Sequence, residues 1–177
     1  MTVPFALAQS DNALLVNAAL HGDRPAFGLL YSRFVRMVHG ILLARVPRSD
    51  VDDLVQDVFL LALRRLDTLR DPGAFGPWLA MIARNRAADY HRRSRETTEL
   101  SEDCAVQDPQ GTEALAALSA IQKLPEAYRE TLVLRLVEGM SGPEIAERTG
   151  LTPASVRVNL HRGMKLLREK LEGREAS

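Results

Sequence analysis

Apolar side chains recur every three or four residues through most of this chain and nowhere alternate. Phe27, Leu30, Tyr31, Phe34, Val38 and Ile41 keep that spacing, and so do Leu54, Val55, Val58, Leu61, Ala62 and Leu66. A period near 3.6 lines one face of a helix, so the expected fold class is all-α. Breakers divide the pattern. Ser10 or Asp11 can cap a first helix over 12–20, and Gly22 and Asp23 end it. A second helix is expected over 25–45, with Pro25 in the first turn, where a missing N–H costs nothing. Pro47 closes it. Asp50 opens a third over 51–69, and Asp71-Pro72-Gly73 is a turn signal before a fourth over 75–95.

Residues 96–111 break the periodicity. Glu99, Glu102, Asp103, Asp108 and Pro109 crowd into this stretch, which suits a flexible acidic linker. Beyond it Thr112 can cap a helix over 113–123, Pro125 opens one to 138, Gly139 ends that, and two short helices follow. The expectation is two small helical domains, 1–95 and 112–177, joined by the linker 96–111. The single cysteine, Cys104, excludes an intramolecular disulfide and a cysteine metal cage. It reads as a solvated thiol, with oxidation sensing as the alternative. The N-terminus has no basic segment before its short apolar stretch, and no run reads as a membrane span. A cytoplasmic protein with no membrane insertion is expected.

Charge balance is uninformative in sum, with 23 basic and 23 acidic residues, so its distribution matters. The C-terminal part carries the clearest motif. Ser141-Gly-Pro-Glu144 has capping-box spacing, a hydroxyl at the N-cap and a carboxylate three residues on. Gly150 can take the positive φ of a tight turn. Thr152-Pro153 starts a second helix with a hydroxyl cap and a proline in the first turn. Ile145, Ala146, Leu151, Val156 and Leu160 can form the core between the two. This is a helix-turn-helix pattern. Arg157, Val158, His161, Arg162, Lys165 and Arg168 spread over the outer face of the second helix, where arginines can reach guanine edges or phosphates in a major groove.

Two further clusters stand in the N-terminal part. Residues 84–95 hold five arginines against one aspartate. They suit phosphate tracking on opened strands, although arginines also favour a helix C-terminus through its dipole. Asp53, Gln56 and Asp57 share one helix face, with Asp52 beside them. That strip could dock a basic partner, hold a divalent metal or simply be solvated. His21 and His39 read as structural or solvated.

Taken together, Asp53-Leu-Val-Gln-Asp-Val-Phe59, Pro77-Trp-Leu-Ala-Met-Ile-Ala-Arg-Asn85 and the helix ending Val156-Arg-Val-Asn-Leu-His-Arg162 resemble an extracytoplasmic-function (ECF, group 4) sigma factor of bacterial RNA polymerase, of the sigma-70 family. The resemblance runs from about Leu14 to Leu171. It implies a region-2 domain, a linker and a region-4 domain. It implies that Asp53, Gln56 and Asp57 dock on the β′ clamp helices of core polymerase and that region 4 meets the β flap. Asn85 and Arg86, with the loop 69–73, would hold a flipped base of the promoter −10 element, a step that costs a few kcal/mol of stacking. Arg92 and Arg93 would follow the backbone. Thr152, Ser155, Arg157, Val158, His161 and Arg162 would read the −35 element. The linker would thread the RNA-exit path, and the free domains would be held together or captured by an anti-sigma factor. Val158, Asn159 and Gly163-Met164 depart from the residues common in that family at those positions. Val158 can still pack on a thymine methyl.

Two other classes are weighed against this. An autonomous helix-turn-helix regulator accounts for residues after Ser141 but leaves the 53–57 strip and the arginine cluster unused. An enzyme would need a nucleophile–base pair or a Gly-rich phosphate loop, and neither is found. No catalytic residue, metal ligand or cofactor is expected.

Overall fold

A computed structural model describes residues 5–98 and 113–175, with side chains over 11–95 and 114–172. The expected linker from 99 onward, with Cys104 and Thr112, lies outside the described residues. Among the described residues every regular element is a helix: α1 (Phe5–Leu20), α2 (Arg24–Leu43), α3 (Arg48–Arg64), α4 (Phe75–Thr98), α5 (Glu113–Gln122), α6 (Glu126–Leu136), α7 (Gly142–Thr149) and α8 (Pro153–Glu175), with short 3₁₀ turns at Leu66–Thr68 and Pro72–Ala74.

Local signals place most boundaries. Asp23 caps α2, its carboxylate accepting from the Ala26 N–H at 3.1 Å, and Pro25 sits in the first turn. Asp71 accepts from the Gly73 N–H at 2.9 Å and shapes the turn before α4. The capping box of α7 is complete: Ser141 Oγ accepts from the Glu144 N–H at 3.3 Å, and the Glu144 carboxylate accepts from the Ser141 N–H at 2.8 Å. Those bonds, the backbone one foremost, hold the Glu144 carboxyl below its ordinary pKa. Gly150 ends α7 at φ +78°.

Several boundaries differ from expectation. α1 starts at Phe5, so Ser10 and Asp11 lie inside it and do not cap it. α3 starts at Arg48, two residues before Asp50, because the extended Pro47 opens it without a side-chain cap; it stops at Arg64 and leaves Leu66 in a 3₁₀ turn. α4 runs to Thr98, so the first residues of the expected linker are helical. The last helix is long, not short. Past the turn it keeps burying Val156, Gly163 and Leu167. Gly163 has a packing reason: a Cβ there would meet Leu132 Cδ1 at 3.0 Å and Tyr128 Cβ at 3.1 Å, so α8 and α6 cross closely.

In the N-terminal half, α2 supplies the central stripe. Leu30, Phe34, Val38 and Ile41 are buried against Val51, Leu54, Val55, Val58 and Ala62 of α3 and Phe75, Leu79, Ala83 and Ala87 of α4. α2 also has the length and mean hydropathy, 1.2, of a membrane span, contrary to the sequence expectation, yet 50% of that window is buried inside the fold. It is the core helix of this half. In the C-terminal half, Ile145, Ala146 and Val156 close the helix-turn-helix core with Leu132, Val133 and Leu134 of α6, and Leu151 and Leu160 pack partly buried on it.

The two halves pack on one another, which no local pattern announced. α6 lies against α2, and α7 against the start of α4. Small residues permit it. A Cβ on Gly40 would meet Leu134 Cδ2 at 2.7 Å and Glu138 Cγ at 2.9 Å; one on Gly76 would meet the Arg148 carbonyl at 2.9 Å; one on Gly150 would meet Pro77 Cβ at 2.9 Å. Gln122 of α5 donates to the Leu43 carbonyl at 2.8 Å, satisfying an end group of α2.

Candidate functional site

The three predicted clusters fall on three helices. On α3, the strip Asp53, Gln56 and Asp57 faces outward, opposite the buried Leu54, Val55 and Val58. Asp53 and Gln56 are exposed and Asp57 is half-exposed. Among the described residues no group of three or more His, Cys, Asp or Glu side chains converges as a metal site would need. The solvated and docking readings of the strip both fit that geometry.

On α4, Asn85 is exposed, with Arg92 and Arg93 exposed further along. Arg92 also donates to Asp89 at 2.8 Å. The arginines on either side of Asn85 are engaged. Arg86 donates to the Asp57 carboxylate, and its side chain is 20% exposed. The predicted polymerase strip and the predicted −10 strip therefore share an ion pair. One and two turns away the same helices are tied again, with Tyr90 donating to Asp50 at 2.5 Å. That bond, with some burial, raises the Tyr90 pKa to about 12.

Arg84 turns the other way. Its Nη2 and Nε donate to the two oxygens of Glu130 on α6 at 2.7 and 3.0 Å. Arg45 Nη2 reaches the same carboxylate at 2.7 Å, and the Glu130 side chain is only 6% exposed. Burial alone would push its carboxyl up, but the Arg84 hydrogen bonds and the charges of Arg45 and Arg84 outweigh burial and hold it below the ordinary range. The same bonds raise the Arg84 pKa. A second polar tie joins the halves: His39 Nδ1 lies 2.6 Å from Glu138 Oε1. That bond raises the His39 pKa against the opposing effect of burial. Arg148 adds a third, donating to the Arg33 carbonyl at 2.9 Å.

On α8 the arrangement is open. Arg157, Val158, His161 and Arg162 lie on one exposed face, Val158 being 41% exposed. Thr152 and Ser155 form the N-cap: Thr152 Oγ1 accepts from the Ser155 N–H at 3.1 Å and donates to Ser155 Oγ at 2.8 Å. The helix N-terminus and its two hydroxyls are thus presented with the cations beyond them, a combination suited to phosphate and base edges.

Sequence reading missed the joint. Glu130, Arg45 and Glu138 were not singled out, His39 was read as structural or solvated, and Arg84 was counted only as part of a cationic run. One weak signal existed: Glu130 stands directly before Thr131-Leu-Val-Leu134, an apolar run, and a charge beside a core segment calls for a partner.

With these surfaces in place, comparison with known proteins becomes specific. Family profiles match residues 30–97 as "Sigma-70 region 2" and 114–167 as "Sigma-70, region 4". The chain is 31% identical to the ECF RNA polymerase sigma-E factor of Haemophilus influenzae, over 93% of this chain and 97% of that one. It is 36% identical to the RNA polymerase sigma factor CarQ of Myxococcus xanthus, over 85% and 91%. The solved structure of CnrH in complex with the cytosolic domain of CnrY superimposes with a TM-score of 0.65 at 30% identity, covering 92% of this chain and 98% of that one. The chain belongs to the sigma-70 family of transcription-initiation factors. Within it, the chain is an ECF RNA polymerase sigma factor. Matches in both halves account for the parts that an autonomous helix-turn-helix regulator leaves unused.

Proposed function

We propose that this sigma factor directs core RNA polymerase to specific promoters through three surfaces. Residues 1–95 dock on the β′ clamp helices through Asp53, Gln56 and Asp57, and hold a flipped base of the −10 element with Asn85, Arg86 and the loop 69–73, while Arg92 and Arg93 follow the backbone. Residues 112–177 contact the β flap and read the −35 element with Thr152, Ser155, Arg157, Val158, His161 and Arg162; residues 96–111 join the two. It acts as a cytoplasmic, non-enzymatic specificity factor without a cofactor. An anti-sigma factor is its expected inhibitor, in line with the structural match to CnrH in its complex with CnrY.

The observation that carries this reading is the coexistence in one chain of an outward acidic strip on α3, an exposed Asn85 on α4 and an exposed face on α8 that carries Arg157 and Arg162. The dimensions add a condition. A compact chain of this length has a radius of gyration of about 16 Å and so spans on the order of 40 Å. Elements about 25 base pairs apart lie about 85 Å apart along the duplex. The packed arrangement of the two halves cannot reach both elements, so the joint opens when polymerase is bound.

The test is run-off transcription from the chain's own upstream region with core polymerase. Initiation by the wild type, lost in a Gln56→Ala/Asp57→Ala variant that still folds, is the expected result. Tight duplex binding by the chain alone, with no transcription when core is added, would refute it.

A further inference from the structure

Arg84, Asn85 and Arg86 are consecutive on α4, so their side chains leave the helix about 100° apart. Asn85 points to solvent, while its neighbours point to opposite sides and each meets a carboxylate. Arg84 meets Glu130 of the C-terminal half, and Arg86 meets Asp57 of the docking strip. These carboxylates belong to two different bodies, one to each event that must precede promoter opening. Resting on the function proposed above, we propose that the −10 surface of the free chain is masked at both of these arginines. Separation of the two halves releases Arg84, and polymerase docking on Asp57 releases Arg86, so that full −10 binding requires both.

The physical basis is competition. An arginine paired with a carboxylate adds little net attraction for a phosphate, because the phosphate must first displace the carboxylate. Asp57 can be contested from outside, since 46% of its side chain is exposed. A basic partner helix laid along the α3 strip would attract the same oxygens that hold Arg86. Glu130 cannot be contested that way, because it is buried between Arg45 and Arg84. It lets go only when α6 leaves α2 and α4. Coupling of this kind is reciprocal, so a strand on Arg86 would also leave Asp57 more available to polymerase. Arg157 and Arg162 of α8 face no such mask, as neither has a carboxylate partner among the described residues.

The experiment measures binding of the full chain, without polymerase, to a fluorescent oligothymidine of about twelve nucleotides across a salt series. Asp57→Asn is expected to steepen the slope of log affinity against log salt by about 0.7 and to tighten binding roughly fivefold near 0.1 M salt, one released cation's worth on a single strand. Gly40→Leu, which cannot fit against Leu134 and Glu138 in the closed joint, is expected to do the same through Arg84, and the pair together to reach about twice that slope change. Neither substitution should act once its arginine is gone: Asp57→Asn in an Arg86→Ala background, and Gly40→Leu in an Arg84→Ala background, are expected to be silent. Unchanged slopes in both single variants would overturn the proposal. So would gains that survive loss of the arginine, since these come from removed repulsion alone. If Gly40→Leu does not fold, Glu130→Gln takes its place, and the Asp57/Arg86 cycle decides its half independently. Failure of the parent reading looks different: a chain that never co-elutes with core polymerase, whatever its salt slope.

Discussion

Two helices of this sigma factor, α4 and α8, carry arginine-rich faces that look alike as strings of letters, and the fold treats them oppositely. On α8, Arg157 and Arg162 stand in solvent beyond a hydroxyl-capped N-terminus. On α4, the arginines flanking Asn85 are bonded to carboxylates from other helices. A cationic run therefore states a capacity, while the partners supplied by the fold decide whether it is exercised. In the described arrangement the α8 face with Arg157 and Arg162 is open to solvent. The α4 face is open only in part, with Asn85 exposed and Arg84 and Arg86 held by carboxylates.

Breaking the joint should erase that contrast. Glu130→Ala leaves Arg45 and Arg84 around an empty, buried position, and removing one member of such a group costs about 3 kcal/mol. The expected outcome is a chain that still unfolds cooperatively in each half but expands beyond a radius of gyration of about 16 Å in small-angle scattering. A Glu130→Ala chain as compact as the wild type would mean that apolar packing alone holds the halves.

A smaller effect isolates the C-terminal half. Ser141→Ala removes the hydroxyl of the capping box and should cost about 1 kcal/mol. Thermal unfolding of the C-terminal half should shift down by about 4–8 °C, while binding through α4 stays unchanged. Equal loss at both surfaces would show the halves to be one cooperative unit.

The smallest expected effect is on pH. Closure raises the His39 pKa above 6.5 through its bond to Glu138, with Asp52 adding to that and Arg48 opposing it. A raised pKa means that the protonated form favours closure. The contribution is fully present below about pH 6.5 and is lost as pH rises through the raised value. Scattering should therefore show slightly more open chain at pH 8 than at pH 6, and His39→Gln should flatten that dependence. An opposite slope would contradict the assignment of His39 to the closed joint.

Much of this architecture is written locally. Asp23, Ser141, Gly150 and Thr152 mark helix ends because caps and left-handed turns need particular side chains within three residues. The apolar stripes of α2 and α3 fall where their spacing places them. The α3 start was missed because Pro47 opens it with no side-chain bond, and α8 outran its expected length because Gly163 signals a close crossing with α6 and no stop. The joint was illegible for another reason. Arg84 and Glu130 lie 46 residues apart, and His39 and Glu138 lie 99 apart; pairings that distant leave no period to read. Of the candidate sites, the exposed ones were readable as types, and Arg86 shows the limit, since nothing local says that Asp57 will hold it.

The division of labour between α4 and α8 is tested most directly by permanganate and nuclease footprinting of holoenzyme on the chain's upstream region, comparing Asn85→Ala with Arg162→Ala. The account predicts that Asn85→Ala keeps upstream protection but loses unpaired thymines around −10. It predicts that Arg162→Ala weakens upstream protection by about 1–3 kcal/mol, the usual worth of a specific base contact. Unpaired thymines that persist in Asn85→Ala, or protection of both blocks by the chain without polymerase, would contradict it.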